Sequence, residues 1–306
     1  MLKTFDHTDF PVARLVAART APVSVVIPTR NTAETIGRTV SEVRVLADAG
    51  LVEQVLVVDA DSPDGTAGAA ADAGAEVVSE NDLAPGFGTV RGKGDAMWRS
   101  LEAVRGDLVV FVDGDAADFG HHFVTGLLGP LILDPAVEFT KGSYRRPFRQ
   151  DGSEQPAGGG RVTELTARPL LRLTVPELAA FDQPLSGEIA ARRDLLERVP
   201  FTTGYGIEVA MLVDVWDRVG LAAMAQVELG TKRNSHQPLA ALGGMASEVM
   251  SALGQALARI DRAELGSLSP ATGASAGLEV RPPREAAAGL TVAADRSDRT
   301  PGTPGR

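Results

Sequence analysis

Apolar positions along the first half of the chain follow two rhythms that take turns. Short unbroken apolar runs alternate with stretches in which apolar residues return every three or four positions. The run "VSVVI" at 23–27, closed by Pro28, predicts a buried strand. In "NTAETIGRTVSEVRVL" the residues Ile36, Val40 and Val43 fall at helical spacing, and Asn31, with Glu34 three residues on, is expected to cap that helix. "VEQVLVVDADSPDGT" gives a second strand ending in acids and turn residues. "GTAGAAADAGA" reads as a helix of small residues, "AEVVS" as a third strand, "GKGDAMWRSLEAV" as a helix and "DLVVFV" as a fourth strand. This alternation predicts an α/β protein with a Rossmann-like, mostly parallel, doubly wound sheet flanked by helices.

The second half is less regular. "VEFTKGSYRRPF" is expected to be a strand with an exit loop, and the polar, glycine-rich stretch at 149–160 a mobile loop. Helices are expected across 162–175, 206–219 and 239–260, with a strand over "AAMAQVEL". From about residue 263 the chain is rich in Ala, Gly, Pro, Arg and Thr with little periodicity, which predicts a disordered tail. The expected divisions are an N-terminal segment at 1–20, a first half at 21–148, a mixed α/β second half at 149–262 and the tail at 263–306.

Composition narrows the class. A chain of 306 residues with 44% apolar content can bury a substantial core, as one large α/β domain or two small ones. A formal net charge of −10 argues against nonspecific nucleic-acid binding, which needs a basic surface. The lack of cysteine excludes disulfides, thiolate metal sites and a cysteine nucleophile, and fits a cytoplasmic location. No apolar stretch approaches the ~20 residues that span a bilayer. "MLKTFDHTDFPVARL" places acids and a proline where a secretory leader has its apolar run, so neither membrane nor export is expected.

In an open parallel sheet, ligands collect at the carboxyl ends of the strands. Three of the expected strands end in the polar clusters "PTRNT" (28–32), "DADS" (59–62) and "DGD" (113–115), and "VVSEND" also ends in acids. Asp113 and Asp115 follow directly on an apolar run. Carboxylates that close repel, and burying either one unpaired costs several kcal/mol, so a positive charge is expected beside them. Gly114 permits a turn tight enough for both to face one point. Mg²⁺ or Mn²⁺ fits, since these ions take oxygen ligands and Mg²⁺ typically joins a carboxylate or two to substrate phosphates. Solvated acids in a plain turn are the alternative. "GFGTVRGKGDAMWRS" offers the opposite charge, with Arg91 and Lys93 among four glycines ahead of a helix, a setting that favours an anion. A solvated basic loop is its alternative. Gly94 stands where a P-loop needs Ser or Thr, and no G-x-G-x-x-G follows the first strand. "GGGRVTEL" (158–165) puts Arg161 and Thr163 at the mouth of a helix, suited to a second anionic group, and "TKRNSHQPL" (231–239) holds Lys232, Arg233, Asn234 and His236.

Together these stretches resemble the retaining GT-A glycosyltransferases that make glucosyl-3-phosphoglycerate, with the mannosyl-3-phosphoglycerate synthases as relatives. The resemblance spans roughly residues 20–255. It rests on "VVIPTRN", "VVDADSPDGT", "RGKGDAMWRSL", "VVFVDGD", "YRRP", "GGGRVTEL", "QPLSGE", "GYGIE" and "HQPL" in that order. It implies a GT-A fold and a donor site at Pro28, Thr29, Arg30, Asp59 or Ala60, Lys93, Asp113, Gly114, Leu185, Glu188, Tyr205 and Lys232. It implies an acceptor site at Gly160, Arg161, Val162, Thr163 and Asn234, and a divalent metal on Asp115 and His236, with Asn234 two residues earlier as the alternative ligand. Asp115, Lys93 and Glu208 are the implied catalytic residues, and a homodimer is implied. Departures are Asn31, Thr32 and Ala33 where some relatives carry acids, and Gly114 where serine is frequent. The activity implied is metal-dependent transfer of glucose from UDP-glucose to the 2-hydroxyl of D-3-phosphoglycerate with retained configuration. The competing expectations are a mannosyl homologue using GDP-mannose, a sugar nucleotidyltransferase, and a noncatalytic sugar-nucleotide sensor.

Overall fold

In the computed structural model, which describes residues 1–150, 153–155, 159–233 and 239–261, the chain opens with strand β1 (Lys3–Asp6) and helix α1 (Val12–Ala18). The apolar runs of the first half then become β2 (Val23–Thr29), β3 (Gln54–Asp59), β4 (Glu76–Ser79) and β5 (Leu108–Phe111). Between them lie α2 (Ala33–Asp48), α3 (Thr66–Asp72) and α4 (Lys93–Ser100). Helix α5 (His122–Leu133) leads to β6 (Phe139–Arg145). Within the stretch expected to be a loop at 149–160, a two-stranded antiparallel ribbon pairs β7 (Phe148–Gln150) with β8 (Ser153–Gln155). A π-turn over Thr163–Ala167 runs into α6 (Arg168–Thr174), followed by β9 (Ile189–Arg192), α7 (Arg193–Leu196), α8 (Ile207–Val219), β10 (Met224–Thr231) and α9 (Leu239–Arg259). The tail expected at 263–306 lies outside the described residues.

Eight strands form one sheet in the order β1-β10-β6-β9-β5-β2-β3-β4, parallel except at β9, which runs against both β5 and β6. A parallel strand covered on both faces must be apolar on both, and β2 and β3 are buried almost end to end. Their alternate side chains feed separate cores. Val26, Leu56, Val58 and Phe111 pack with Met97, Ile207, Leu212 and Leu253 from α4, α8 and α9. Val25, Ile27, Val57 and Val110 pack with Ile36, Val40, Phe123 and Leu127 from α2 and α5. Because β3 and β5 flank β2 on opposite sides, the chain leaves their carboxyl ends in diverging directions and a crevice opens there.

The helix after β2 starts differently from expectation. Asn31 takes a left-handed φ of 54° and does not cap α2. The first helical N–H groups go instead to the next strand's loop. Thr32 donates to Thr66 Oγ1 (2.9 Å), and Ala33 donates to Asp64 Oδ2 (3.1 Å). The turn after β2 is thereby stapled to the turn after β3.

Phe123 has no solvent exposure and lies 5.3 Å, ring to ring, from Phe119. Phe123→Ala should cost about 3–5 kcal/mol of stability, as large-to-small changes of aromatic core residues do. Urea unfolding should give a lower midpoint with the slope unchanged.

Candidate active site

The crevice encloses about 600 Å³, a size ordinary for a small-molecule site. Its first wall is the turn after β2. Pro28, Thr29, Arg30 and Thr32 line it, together with Ala60 from the turn after β3 and Glu80 from the end of β4. Asp59 is not in this lining. It is buried, and its carboxylate accepts hydrogen bonds from the Ser62 N–H (2.8 Å) and the Thr29 hydroxyl (3.3 Å), so it braces the wall from behind. Burial pushes the Glu80 carboxyl above its ordinary pKa against the opposing pull of Arg30, whose Nη2 lies 3.6 Å away.

The D-G-D turn follows β5, and its two acids have different surroundings. The Asp113 carboxylate receives Lys93 Nζ on one oxygen and Lys232 Nζ on the other, each at 2.6 Å. Burial alone would raise its pKa; Lys232 and Lys93 outweigh that and hold it well below the usual carboxylate range. Asp115 is exposed and lines the cavity. The sequence expectation that one divalent ion relieves both acids is therefore corrected for Asp113, whose counter-charges are lysines. Gly114 between them allows a close approach, since a Cβ there would come within 2.7 Å of Thr29 Cγ2. The Thr35 hydroxyl donates to its carbonyl (2.7 Å), tying the turn to α2.

Lys93 is the first residue of α4, and its ammonium also pairs with Glu208 Oε1 at 2.9 Å. Burial would lower its pKa, but Asp113 and Glu208 raise it well above the ordinary lysine value. The glycine-rich segment ahead of α4 thus sends its lysine into the sheet's end. Arg91 is exposed and absent from the cavity lining; its backbone N–H donates to Asp95 Oδ2 (2.8 Å). Sequence reasoning missed what holds this segment: Arg99, fully buried on α4, donates to the carbonyls of Leu83 (2.9 Å) and Gly88 (2.7 Å) and pairs with Asp95.

Lys232 follows β10 and is fully buried, bonded to Glu188 as well as Asp113. Glu188 is not in the cavity lining. Its carboxylate also accepts from Tyr144 Oη (2.8 Å) and Ser186 Oγ (3.1 Å), so the donor contact expected of it is replaced by a place behind the wall. Burial, then Glu188, raises the Tyr144 pKa, so this phenol stays a donor. Leu185 and Gly187 of the same loop do line the cavity. A Cβ on Gly187 would meet Lys93 Nζ and lie 2.5 Å from Asp113 Oδ1, so only glycine lets that ion pair form.

The far end of the cavity is built by Gly160, Arg161, Val162 and Thr163, with Arg146 and Tyr144 opposite, and α9 contributes Leu242, Met245 and Val249. The Gly159 N–H donates to the Arg146 carbonyl (3.1 Å), which fixes the two loops together. Tyr205 and Glu208 also line the space. Arg146 and the α9 side chains were missed. "YRRP" marked the first, whereas nothing in the apolar period of α9 separates a cavity wall from a core face. Asn234 and His236 lie outside the described residues. The Arg233 N–H donates to Asp118 Oδ1 (2.9 Å), and the Ala117 N–H donates to the Arg233 carbonyl (3.3 Å). Among the described residues no three His, Asp or Glu side chains converge as a ready-made metal cage. The hard, exposed oxygen donor at Asp115 fits an ion of the Mg²⁺ or Mn²⁺ type that draws its other ligands from phosphate and water.

Residues 24–155 match Glycosyl transferase family 2. The glucosyl-3-phosphoglycerate synthase of Mycolicibacterium smegmatis is 45% identical over 251 residues, covering 82% of each chain. The crystal structure of mannosyl-3-phosphoglycerate synthase from Rubrobacter xylanophilus superposes with a TM-score of 0.79 at 46% identity, covering 90% of this chain and 85% of that one. The glucosyl-3-phosphoglycerate synthase of Mycobacterium tuberculosis, in complex with Mn²⁺, UDP-glucose and phosphoglyceric acid, superposes with a TM-score of 0.77 at 42% identity, covering 84% and 88%. Another crystal of that protein holds Mg²⁺ and UDP. With a relative this similar over most of its length and the same mixed sheet, the chain belongs to the glucosyl-3-phosphoglycerate synthase family of glycosyltransferases.

Proposed function

We propose that this chain transfers glucose from UDP-glucose to the 2-hydroxyl of D-3-phosphoglycerate, with a divalent ion and with retained anomeric configuration. The observation that carries this reading is the single cavity that joins Asp115, at the carboxyl end of β5, to the Gly160–Thr163 segment across a floor made by Asp113. In this reading Pro28, Thr29, Arg30 and Ala60 border the nucleotide, and Asp113, Leu185 and Gly187 border the sugar. Asp113 is held ionised by two lysines and so can only accept hydrogen bonds, as sugar hydroxyls require. Arg161, Thr163 and the N–H groups at the start of their turn suit an acceptor with a phosphate and a carboxylate. Asp115 holds the metal, and the chain's His236 is the second ligand in this reading. When bound, the ion offsets negative charge on the departing diphosphate.

The acceptor's 2-oxygen forms the new bond to the anomeric carbon as the bond to the diphosphate oxygen breaks. The hydroxyl proton leaves on that phosphate oxygen, so attack and departure share one face. Glu208 lines the cavity, but its carboxylate is paired with Lys93, which supports this route over attack by a protein carboxylate. The same reading carries a homodimer in the cytoplasm. A GDP-mannose donor is the second reading, favoured by the 46% identity to the Rubrobacter protein named for mannosyl transfer.

Incubation with UDP- and GDP-hexoses, 3-phosphoglycerate and Mg²⁺ or Mn²⁺ should release free UDP from UDP-glucose only when the acceptor is present. Release of pyrophosphate, or no turnover with any pair, rejects the reading; faster turnover with GDP-mannose selects the second. Asp115→Ala should lower kcat on the order of 10²–10³, as loss of a comparable electrostatic group does, and full activity in that variant is incompatible with a metal at this turn. Arg161→Ala should raise the KM for phosphoglycerate far more than that for the donor, and an unchanged acceptor KM rejects the acceptor assignment.

A further inference from the structure

Beneath the cavity lies a charged group that the transfer reaction, as described, does not use. Lys141 sits in the middle of β6 and is 1% exposed. Its strand neighbour Thr140 donates to the Leu127 carbonyl of α5, so Lys141 points to the opposite face of the sheet, under the site. There its Nζ donates to the carbonyl of Ser186 at 2.7 Å. Ser186 lies between Leu185 and Gly187, both of which wall the cavity, and its own hydroxyl donates to Glu188. Lys141 is within electrostatic reach of Glu208 on α8, Lys93 on α4, Glu188 before β9 and Asp113 after β5. On β10 the residue in register with it is Gln226, which is uncharged and bonded to Asp182.

The charges of this group make a count. Asp113, Glu188 and Glu208 are carboxylates, and Lys93 and Lys232 are the ammoniums bonded to them. Lys141 supplies the third positive charge and brings the cluster to neutrality. We propose that Lys141 is a positioning residue of this site: its ammonium anchors the Ser186 carbonyl, and with it the Leu185–Gly187 wall, and turnover requires that charge to be present. The inference rests on reading the cavity as the donor site.

An ammonium shut away from water and bonded, among the described residues, to one neutral carbonyl is easier to deprotonate than one in solution. Burial lowers the pKa of Lys141 to about 8, with Glu208 the strongest opposing influence and Lys93 adding to the fall. The sign follows. Below about pH 8 the group is charged and the wall is held; above it the amine is neutral and the anchor weakens. The neighbouring lysines do not share this window, because their carboxylate partners raise both.

The test is the pH profile of glucosyl transfer with Mg²⁺ in wild type, Lys141→Gln and Lys141→Arg. Wild-type kcat should fall about tenfold per pH unit above about 8. Lys141→Gln keeps a donor for the Ser186 carbonyl but no charge. Its kcat should be at least about tenfold lower at pH 7 and flat through the same range, whereas Lys141→Arg should recover activity at pH 7 and lack the alkaline fall. A Gln variant with wild-type kcat and the wild-type alkaline limb overturns the proposal. The ¹⁵N resonance of Lys141 Nζ in the wild-type protein reads the group without turnover. A midpoint near pH 8 shared with the Gly187 amide supports the proposal, even if no transfer to phosphoglycerate is found and only the functional reading fails. A Gly187 amide indifferent both to the titration of Lys141 and to Lys141→Gln overturns it.

Discussion

The carboxylate of Asp113, gripped on each oxygen by a lysine, is the contact that organises the rest of the site. Breaking a buried ion pair by removing one partner typically costs about 3–5 kcal/mol, because the charge left behind has no water to turn to. The grip therefore constrains everything that delivers a partner. Lys93 must begin α4 at the right height, Lys232 must leave β10 beside the D-G-D turn, and residue 187 must have no side chain. Glu208 and Glu188 then pin the two lysines from the outside. Residues from four separate parts of the chain are fixed by the needs of one carboxylate.

That dependence explains which features the sequence carried and which it hid. Strands β2, β3 and β5 were readable because a parallel strand covered on both faces has to be an apolar run, and "VSVVI" and "DLVVFV" are such runs. Helix α5 was not readable for the opposite reason. "HFVTGLLGPLIL" is buried on nearly every side and contains Pro130, so it has neither a polar face nor a clean helical composition. Strand β9 has four residues and runs antiparallel among parallel neighbours, leaving no alternating register to detect. Asn31 looked like a cap because caps are read locally, whereas the groups that serve α2 belong to Asp64 and Thr66, more than thirty positions on.

The site divides the same way. Its members could be named in sequence because they stand at strand ends, in "PTRNT", "DGD" and "GGGRVTEL". Their partners could not. Asp113 finds Lys93 at a separation of 20 residues and Lys232 at 119, and no local pattern reports such pairings. A repulsion between neighbouring acids was the correct reason to expect a cation, but the reasoning could not tell a lysine from a metal. Glu188 shows a related limit: a conspicuous acid in a recognisable block turned out to serve the lysine behind the wall rather than the cavity.

The resulting distribution of charge bears on what each part of the cavity can recognise. Its floor is dense with ionic groups yet close to neutral, since the carboxylates of Asp113, Glu188 and Glu208 are matched by the ammoniums of Lys93, Lys232 and Lys141. A floor of that kind offers fixed acceptors without a net field, which suits an uncharged ring of hydroxyls better than a phosphate. Arginines stand instead at the walls, Arg30 beside Glu80 at one end and Arg146 and Arg161 at the other. The neutrality of this group also means that removing any one of its ions leaves the remaining five unbalanced, most severely around Lys232, Glu188 and Lys141, which are fully buried.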